Sequence, residues 1–179
     1  TDMGPPLAFW LADIAYRAAG NHMFGVYLLA QVCGVATLWT VYLLSRAIVG
    51  GQQAVLAVLL TMTVTAFGAP SIEFGPSVLA RPLWALLLLH SWQLIGQNRR
   101  NAWFAWSIEA GLLLLTTTAA PMLLLLLAGF ALATGRGRRT LTSLDPLFAL
   151  VAIVVLALPY LIWLMRADAI GLPAWPALD

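Results

Sequence analysis

The sequence predicts an all-α fold, a polytopic bundle of about six transmembrane helices with an interfacial helix at its N-terminal end. Three observations predict it. Hydrophobic residues make up 62% of the 179 positions and charged residues only 9%, against about 25% charged in an ordinary soluble domain. So few charges cannot cover a water-facing surface, so lipid is the main solvent. The mean hydropathy of +0.92 agrees, as do long apolar runs separated by short breaks carrying Gly, Pro, Asn or Arg.

Pro5 and Pro6 punctuate the start. From Leu7 to Ala19 the apolar residues Leu7, Trp10, Leu11, Ile14 and Ala18 recur at helical spacing. Asp13 and Arg17 are placed to pair across one turn. This is the expected interfacial helix, within a segment 1–20, with Trp10 and Tyr16 at headgroup depth. A first span follows over 24–44, with Ser45 and Arg46 after it. Gly50, Gly51, Gln52 and Gln53 read as a polar turn, and 54–67 as a second, short span. The Gly- and Pro-rich stretch 68–77 is a loop that contains Glu73, and 78–95 is the third span.

The stretch 102–133 makes one helix of about 48 Å at 1.5 Å per residue, too long for one crossing without strong tilt. It is read as two short spans, 102–115 and 121–133, meeting at Thr116, Thr117 and Thr118. Residues 135–139 form a basic loop. The last span runs over 146–165 with Pro159 inside it, and 171–179 is an interfacial tail. The spans together occupy 24–165, and 1–179 is expected to be a single transmembrane domain, a partial or trimmed chain.

All nine basic residues are arginine. With alternating crossings Arg46, Arg99, Arg100, Arg136, Arg138 and Arg139 fall on one side, and Arg17, Arg81 and Arg166 on the other. The positive-inside rule makes the first side cytoplasmic. Asp2, Asp13, Glu73, Asp168 and Asp179 gather on the opposite side, while Asp145 and, by depth, Glu109 fall elsewhere. The net charge of +2 and the loop placement of the arginines give no nucleic-acid partner. Cys33 is the single cysteine, which excludes an intrachain disulfide and reads as a small buried side chain. Neither a divalent-metal site nor a nucleotide-binding motif is supported by residue spacing.

The side opposite the arginine loops carries the candidates for chemistry. Glu73 sits between helix breakers and Arg81 enters the next span just before Pro82. Two readings stand: the pair joins each other or holds a phosphate and a sugar hydroxyl, or both are interfacial groups with Arg81 snorkelling. Asp2 and Arg17 lie on the same side. Glu109 falls within an apolar run, where an ionisable group is costly and points to pairing or function. Headgroups and Arg100 are its nearest expected partners. His90 lies deep in the third span, and whether it meets Glu109 stays open at this level.

The segment Gly4-Pro5-Pro6-Leu7-Ala8-Phe9-Trp10-Leu11 resembles one that follows the first extracytoplasmic loop in glycosyltransferase family 39. That family contains protein O-mannosyltransferases and aminoarabinose transferases of lipid A. The stretch Glu73 to Leu86, with Arg81-Pro82-Leu83-Trp84, is similar to the family's loop entering a Pro-x-Trp helix. Ala110-Gly111 with the leucine run and Thr116-Thr117-Thr118, and then Pro159 to Trp163, resemble two later segments.

The resemblance implies a C-type glycosyltransferase scaffold. It implies transfer of a sugar from a polyprenyl-phosphate carrier to an extracytoplasmic acceptor in the bacterial cytoplasmic (inner) membrane. The carrier sugar is then a substrate, and no cofactor is expected. On this resemblance Asp2 and Glu73 are the candidate catalytic carboxylates, and Arg17 and Arg81 the candidate phosphate ligands. Expected partners are membrane lipids, the polyprenyl-phosphate donor and a larger membrane complex. The family's acidic loop lies before the Pro-Pro-Leu segment and outside this sequence. Gly4 and Thr117 stand where members carry basic residues, and Ser77 where they are often polar or acidic. An alternative is therefore a non-catalytic membrane subunit that keeps the scaffold and packs against a larger complex.

Overall fold

The computed structural model describes residues 6–68 and 74–166. Within them the order is α1 (Leu7–Ala18), α2 (Phe24–Val49), α3 (Gly51–Gly68), α4 (Pro76–Ile95), α5 (Ala102–Leu114), α6 (Ala120–Ala133), α7 (Gly135–Leu141) and α8 (Asp145–Arg166). The described residues contain only helices and their connections. The proposed tail 171–179 lies outside them.

Six apolar helices, α2, α3, α4, α5, α6 and α8, stand where six spans are expected. By length and composition alone, α2 and α4 are able to cross a membrane, and α6 with α7 forms a third candidate bent by 108°. At 1.5 Å per residue α4 is about 30 Å long, the thickness of the hydrocarbon layer. Large apolar side chains face outward around the bundle, among them Phe24, Val35, Leu60, Phe104, Leu125 and Phe148. An outer surface of this composition suits lipid and not water.

α4 is the central helix, packed against α2, α5, α1 and α7. Its buried residues Val78, Leu79, Leu83 and Leu87 meet Ala8 of α1, Ala30 and Cys33 of α2, Ala110 and Leu113 of α5 and Ala120 of α6 in one core. Small residues on the partner helices let the backbones approach, the usual packing when lipid competes for apolar contact. α8 packs on α5 and α3 on α2.

Two connections differ from the sequence expectation. Gly51, Gln52 and Gln53 belong to α3, and Gly50, at φ 99°, is the residue between α2 and α3. A left-handed residue reverses the chain in one step, so no longer turn is needed. The expected basic loop 135–139 is the helix α7. Gly137 is buried there against the backbone of Ala131. That contact leaves no room for a Cβ and sets the sharp bend after α6.

The turn between α5 and α6 is at the threonines, as expected. Its burial explains how a break between two short helices is tolerated. The Leu7 N–H, unpaired at the start of α1, donates to the Leu115 carbonyl, unpaired at the end of α5, at 3.1 Å. Each helix end satisfies the other. Thr116 is fully buried and returns its hydroxyl to the Leu112 carbonyl at 2.7 Å.

Candidate functional site

The bundle has two polar ends. One carries α1, the start of α4 and the threonine turn. The other carries the end of α2, the α4–α5 connection and α7, with Arg46, Arg99, Arg100, Arg136, Arg138 and Arg139. It is called the arginine end below.

At the first end Arg81 stands in the second turn of α4, half-buried, just before Pro82. Among the described residues no carboxylate reaches salt-bridge distance of it. Pro82 has no N–H to return to the Val78 carbonyl, so the first two turns of α4 hold one helical bond fewer. Arg17 is spoken for: its Nη2 lies 3.0 Å from Asp13 Oδ2 in an exposed pair one helical turn apart on α1, as its spacing predicts. Asp2 and Glu73, the candidate carboxylates, lie outside the described residues. The structure therefore brings Arg17 to Asp13 and, among the described side chains, leaves Arg81 as a half-buried cation of this end.

α1 is fixed here by a close approach. Gly25 at the start of α2 lies under the Ala15 carbonyl and Ala19, so close that a Cβ would meet the Ala15 oxygen. Gly20 and Asn21, both at positive φ, turn α1 back onto α2. Asn tolerates that region because its short polar side chain does not crowd the backbone.

Towards the arginine end the structure makes a pairing that the sequence left open. His90 Nδ1 on α4 lies 2.9 Å from Glu109 Oε2 on α5 and 3.1 Å from the Leu86 carbonyl. Both neighbours are acceptors, so Nδ1 carries the hydrogen and donates to them. The His90 and Glu109 side chains are 19% and 11% exposed. Glu109 thus pairs with His90 and not with Arg100, which lies at the outer surface. Arg100 Nε instead sits 3.2 Å from Asp145 Oδ2 at the start of α8. That contact lacks hydrogen-bond alignment, and the buried Oδ2 has ion-pair proximity alone.

The α4–α5 connection is held by its backbone. Gly96 N–H donates to the Trp92 carbonyl at 2.7 Å and Arg99 N–H to the Gln93 carbonyl at 2.9 Å. Asn98 takes φ 52°, which ends the helix in a left-handed step. The Arg99 and Arg100 carbonyls then accept from Ala102 and Trp103 at 3.2 and 3.1 Å. Both arginines are set at the rim of a cleft of about 450 Å³, whose walls include His90, Gln93 and Asn101. A second buried contact locks α4 to α5: Trp106 Nε1 donates to Ser91 Oγ at 2.8 Å, and Ser91 donates to the Leu87 carbonyl at 2.7 Å.

Sequence reasoning singled out His90 and Glu109 one at a time but missed the cleft. The only signal was two ionisable residues on consecutive apolar spans, each within a few turns of the same short connection. Among the described residues no group of three or more His, Cys, Asp or Glu side chains gathers as a metal site.

Comparison with known proteins gives one match. The profile described as dolichyl-phosphate-mannose-protein mannosyltransferase matches residues 3–163, nearly the whole chain. No curated protein and no solved structure matches it. The matched region runs from the segment before α1 into α8, and so includes both polar ends, five of the apolar helices whole and most of α8. The chain is a membrane-integral member of the dolichyl-phosphate-mannose-protein mannosyltransferase family, a C-type glycosyltransferase family.

Proposed function

We propose that the chain belongs to an enzyme that moves a sugar from a polyprenyl-phosphate carrier to an extracytoplasmic acceptor. The chemistry would sit at the end of the bundle formed by α1, the start of α4 and the threonine turn. The positive-inside rule makes this end extracytoplasmic, because the six arginines of the loops lie at the other. A bacterial cytoplasmic (inner) membrane is the setting this reading assumes.

The observation that carries the reading is Arg81: a half-buried guanidinium at that end without a carboxylate partner among the described residues, within the matched family region. In the proposed reaction a carboxylate, Glu73 or Asp2, takes the proton of the acceptor hydroxyl. The acceptor oxygen bonds to the anomeric carbon, and the bond from that carbon to the phosphate oxygen breaks. The electron pair leaves on the polyprenyl phosphate, where a guanidinium stabilises the developing charge. Arg17 is a weaker phosphate ligand in this scheme, because Asp13 already neutralises it.

The test is transfer of labelled mannose from polyprenyl-phosphate mannose by the full-length gene product in proteoliposomes. R81Q is expected to lower transfer at least about tenfold, the effect of losing one charge-assisted contact to the leaving group. No turnover in a folded sample would sink the enzyme reading.

A second reading, a non-catalytic subunit of a larger membrane complex, is favoured by Gly4 and Thr117. Neither supplies a cation, and the Thr117 hydroxyl is used in the turn, accepting from Ala119 N–H at 3.3 Å. Co-purification of a stable complex without transfer would select it.

A further inference from the structure

We propose that the cleft at the arginine end is a binding site for a phosphate-bearing ligand, separate from the sugar-transfer end. The rise along α4 from Arg81 to Ile95 is about 21 Å, so one ligand headgroup does not serve both ends.

Three observations carry the proposal. The first is charge. Arg99 and Arg100 are adjacent on the rim, and Arg99 has no carboxylate within salt-bridge distance among the described residues. Arg100 keeps only an unaligned approach to Asp145 at 3.2 Å. Guanidinium groups suit phosphate because their planar N–H forks match its oxygens.

The second is the wall of the cleft. Glu109 holds His90 by Nδ1, so the opposite ring nitrogen, Nε2, is left without a partner among the described residues. His90 itself screens the carboxylate, since Glu109 is not part of the cleft lining. Gln93 and Asn101 add amide donors to the same walls. Of the acidic groups nearest the site, Glu109 is engaged by His90 and Asp145 approaches only Arg100, and neither lines the cleft, which leaves Arg99 as its unpaired cation among the described residues.

The third is contrast with two other arginines of this end, Arg138 and Arg136. Arg138 caps α6: its Nε donates to the Leu132 carbonyl at 2.5 Å. Arg136 borders a different, apolar groove between α2, α4 and α6. These two are accounted for by the bend and by topology. Arg99 and Arg100 face a polar cavity with its own ordered backbone frame.

The shared chemistry is a phosphate monoester or diester, and its source is either a phospholipid headgroup or a soluble phosphate. Native mass spectrometry of the full chain, released from membranes containing phosphatidylglycerol and phosphatidylcholine, separates these sources. A parallel arm measures uptake of inorganic phosphate by equilibrium dialysis. Selective retention of phosphatidylglycerol without phosphate uptake identifies a lipid headgroup. Phosphate uptake identifies a soluble ligand.

In either arm R99Q is expected to reduce binding at least about fivefold, and R99K less than R99Q. R139Q, an exposed arginine of α7 with equal charge loss, is expected to leave it unchanged. H90F/E109L removes Nε2 without stranding the buried carboxylate and keeps both arginines, and is expected to weaken binding as well. Equal losses in R99Q and R139Q would show bulk charge at work and overturn the proposal. So would the absence of both lipid selectivity and phosphate uptake. R99Q is a surface change, so misfolding does not obscure the outcome.

Discussion

His90 Nδ1 stands 2.9 Å from Glu109 Oε2, tying the central helix α4 to α5 through a pair that is largely screened from solvent. A buried ionisable group costs little only while its partner is present. The loss should therefore be asymmetric. H90L alone leaves an unpaired buried carboxylate and is expected to destabilise by about 2–4 kcal/mol. H90L/E109L together should cost clearly less than H90L. Equilibrium unfolding of the four proteins in mixed micelles measures it, and a double variant as unstable as the sum of its parents refutes the coupling.

The Ser91–Trp106 contact makes the same helix pair specific by a neutral hydrogen bond of 2.8 Å. S91A removes the acceptor and strands the indole N–H. It is expected to cost about 1–2 kcal/mol, and W106F in the S91A background should recover part of the coupling. Unchanged unfolding of S91A would show that the indole finds another acceptor.

Gly25 sits under the Ala15 carbonyl, where a methyl group has no space. G25A should push α1 off α2 and cost about 1–3 kcal/mol, the usual range for overpacking. Limited proteolysis should then cut the segment around α1 faster than in the parent chain. G34A is the control: Gly34 faces open space on the same helix. Equal cleavage rates for parent and G25A would exclude the close approach as a constraint.

Gly137 closes the bend between α6 and α7 against Ala131. G137A should open that bend. A distance probe between Arg136 and Leu124, each replaced by a spin-labelled cysteine in a C33A background, should broaden or lengthen. A distribution unchanged by G137A would mean that the bend is set by another contact.

The arginines of the first end should separate in function. R17Q breaks an exposed pair worth about 0–1 kcal/mol and should leave stability nearly unchanged. R81Q should affect sugar transfer far more than R17Q. Matching effects on transfer would place the phosphate nearer α1 than the proposed reading has it.

Local spacing was enough for some of these features. The apolar runs set the positions of the six apolar helices, because burying a backbone in lipid requires helical hydrogen bonds over each run. Thr116–Thr118 marked the α5–α6 turn, and the Asp13–Arg17 pair followed from one helical turn of separation. Family membership was legible in short motifs around Pro5-Pro6-Leu7 and Arg81-Pro82-Leu83-Trp84, and the family profile match over 3–163 bears it out.

Other features were decided only when the helices packed. Helices that are apolar all round give no periodicity to say which face meets which neighbour. The His90–Glu109 and Ser91–Trp106 pairings, on consecutive helices, therefore could not be chosen from sequence, which leaves open whether Glu109 meets His90, headgroups or Arg100. The segment 135–139 reads as a loop because glycine weakens a helix taken alone. Contact of Gly137 with Ala131 makes it one. The all-α, lipid-facing character was written in the chain because hydration and lipid solvation act residue by residue. The polar cleft at Arg99 and Arg100 was not, because it exists only where α4, its left-handed exit at Asn98 and the start of α5 meet in space.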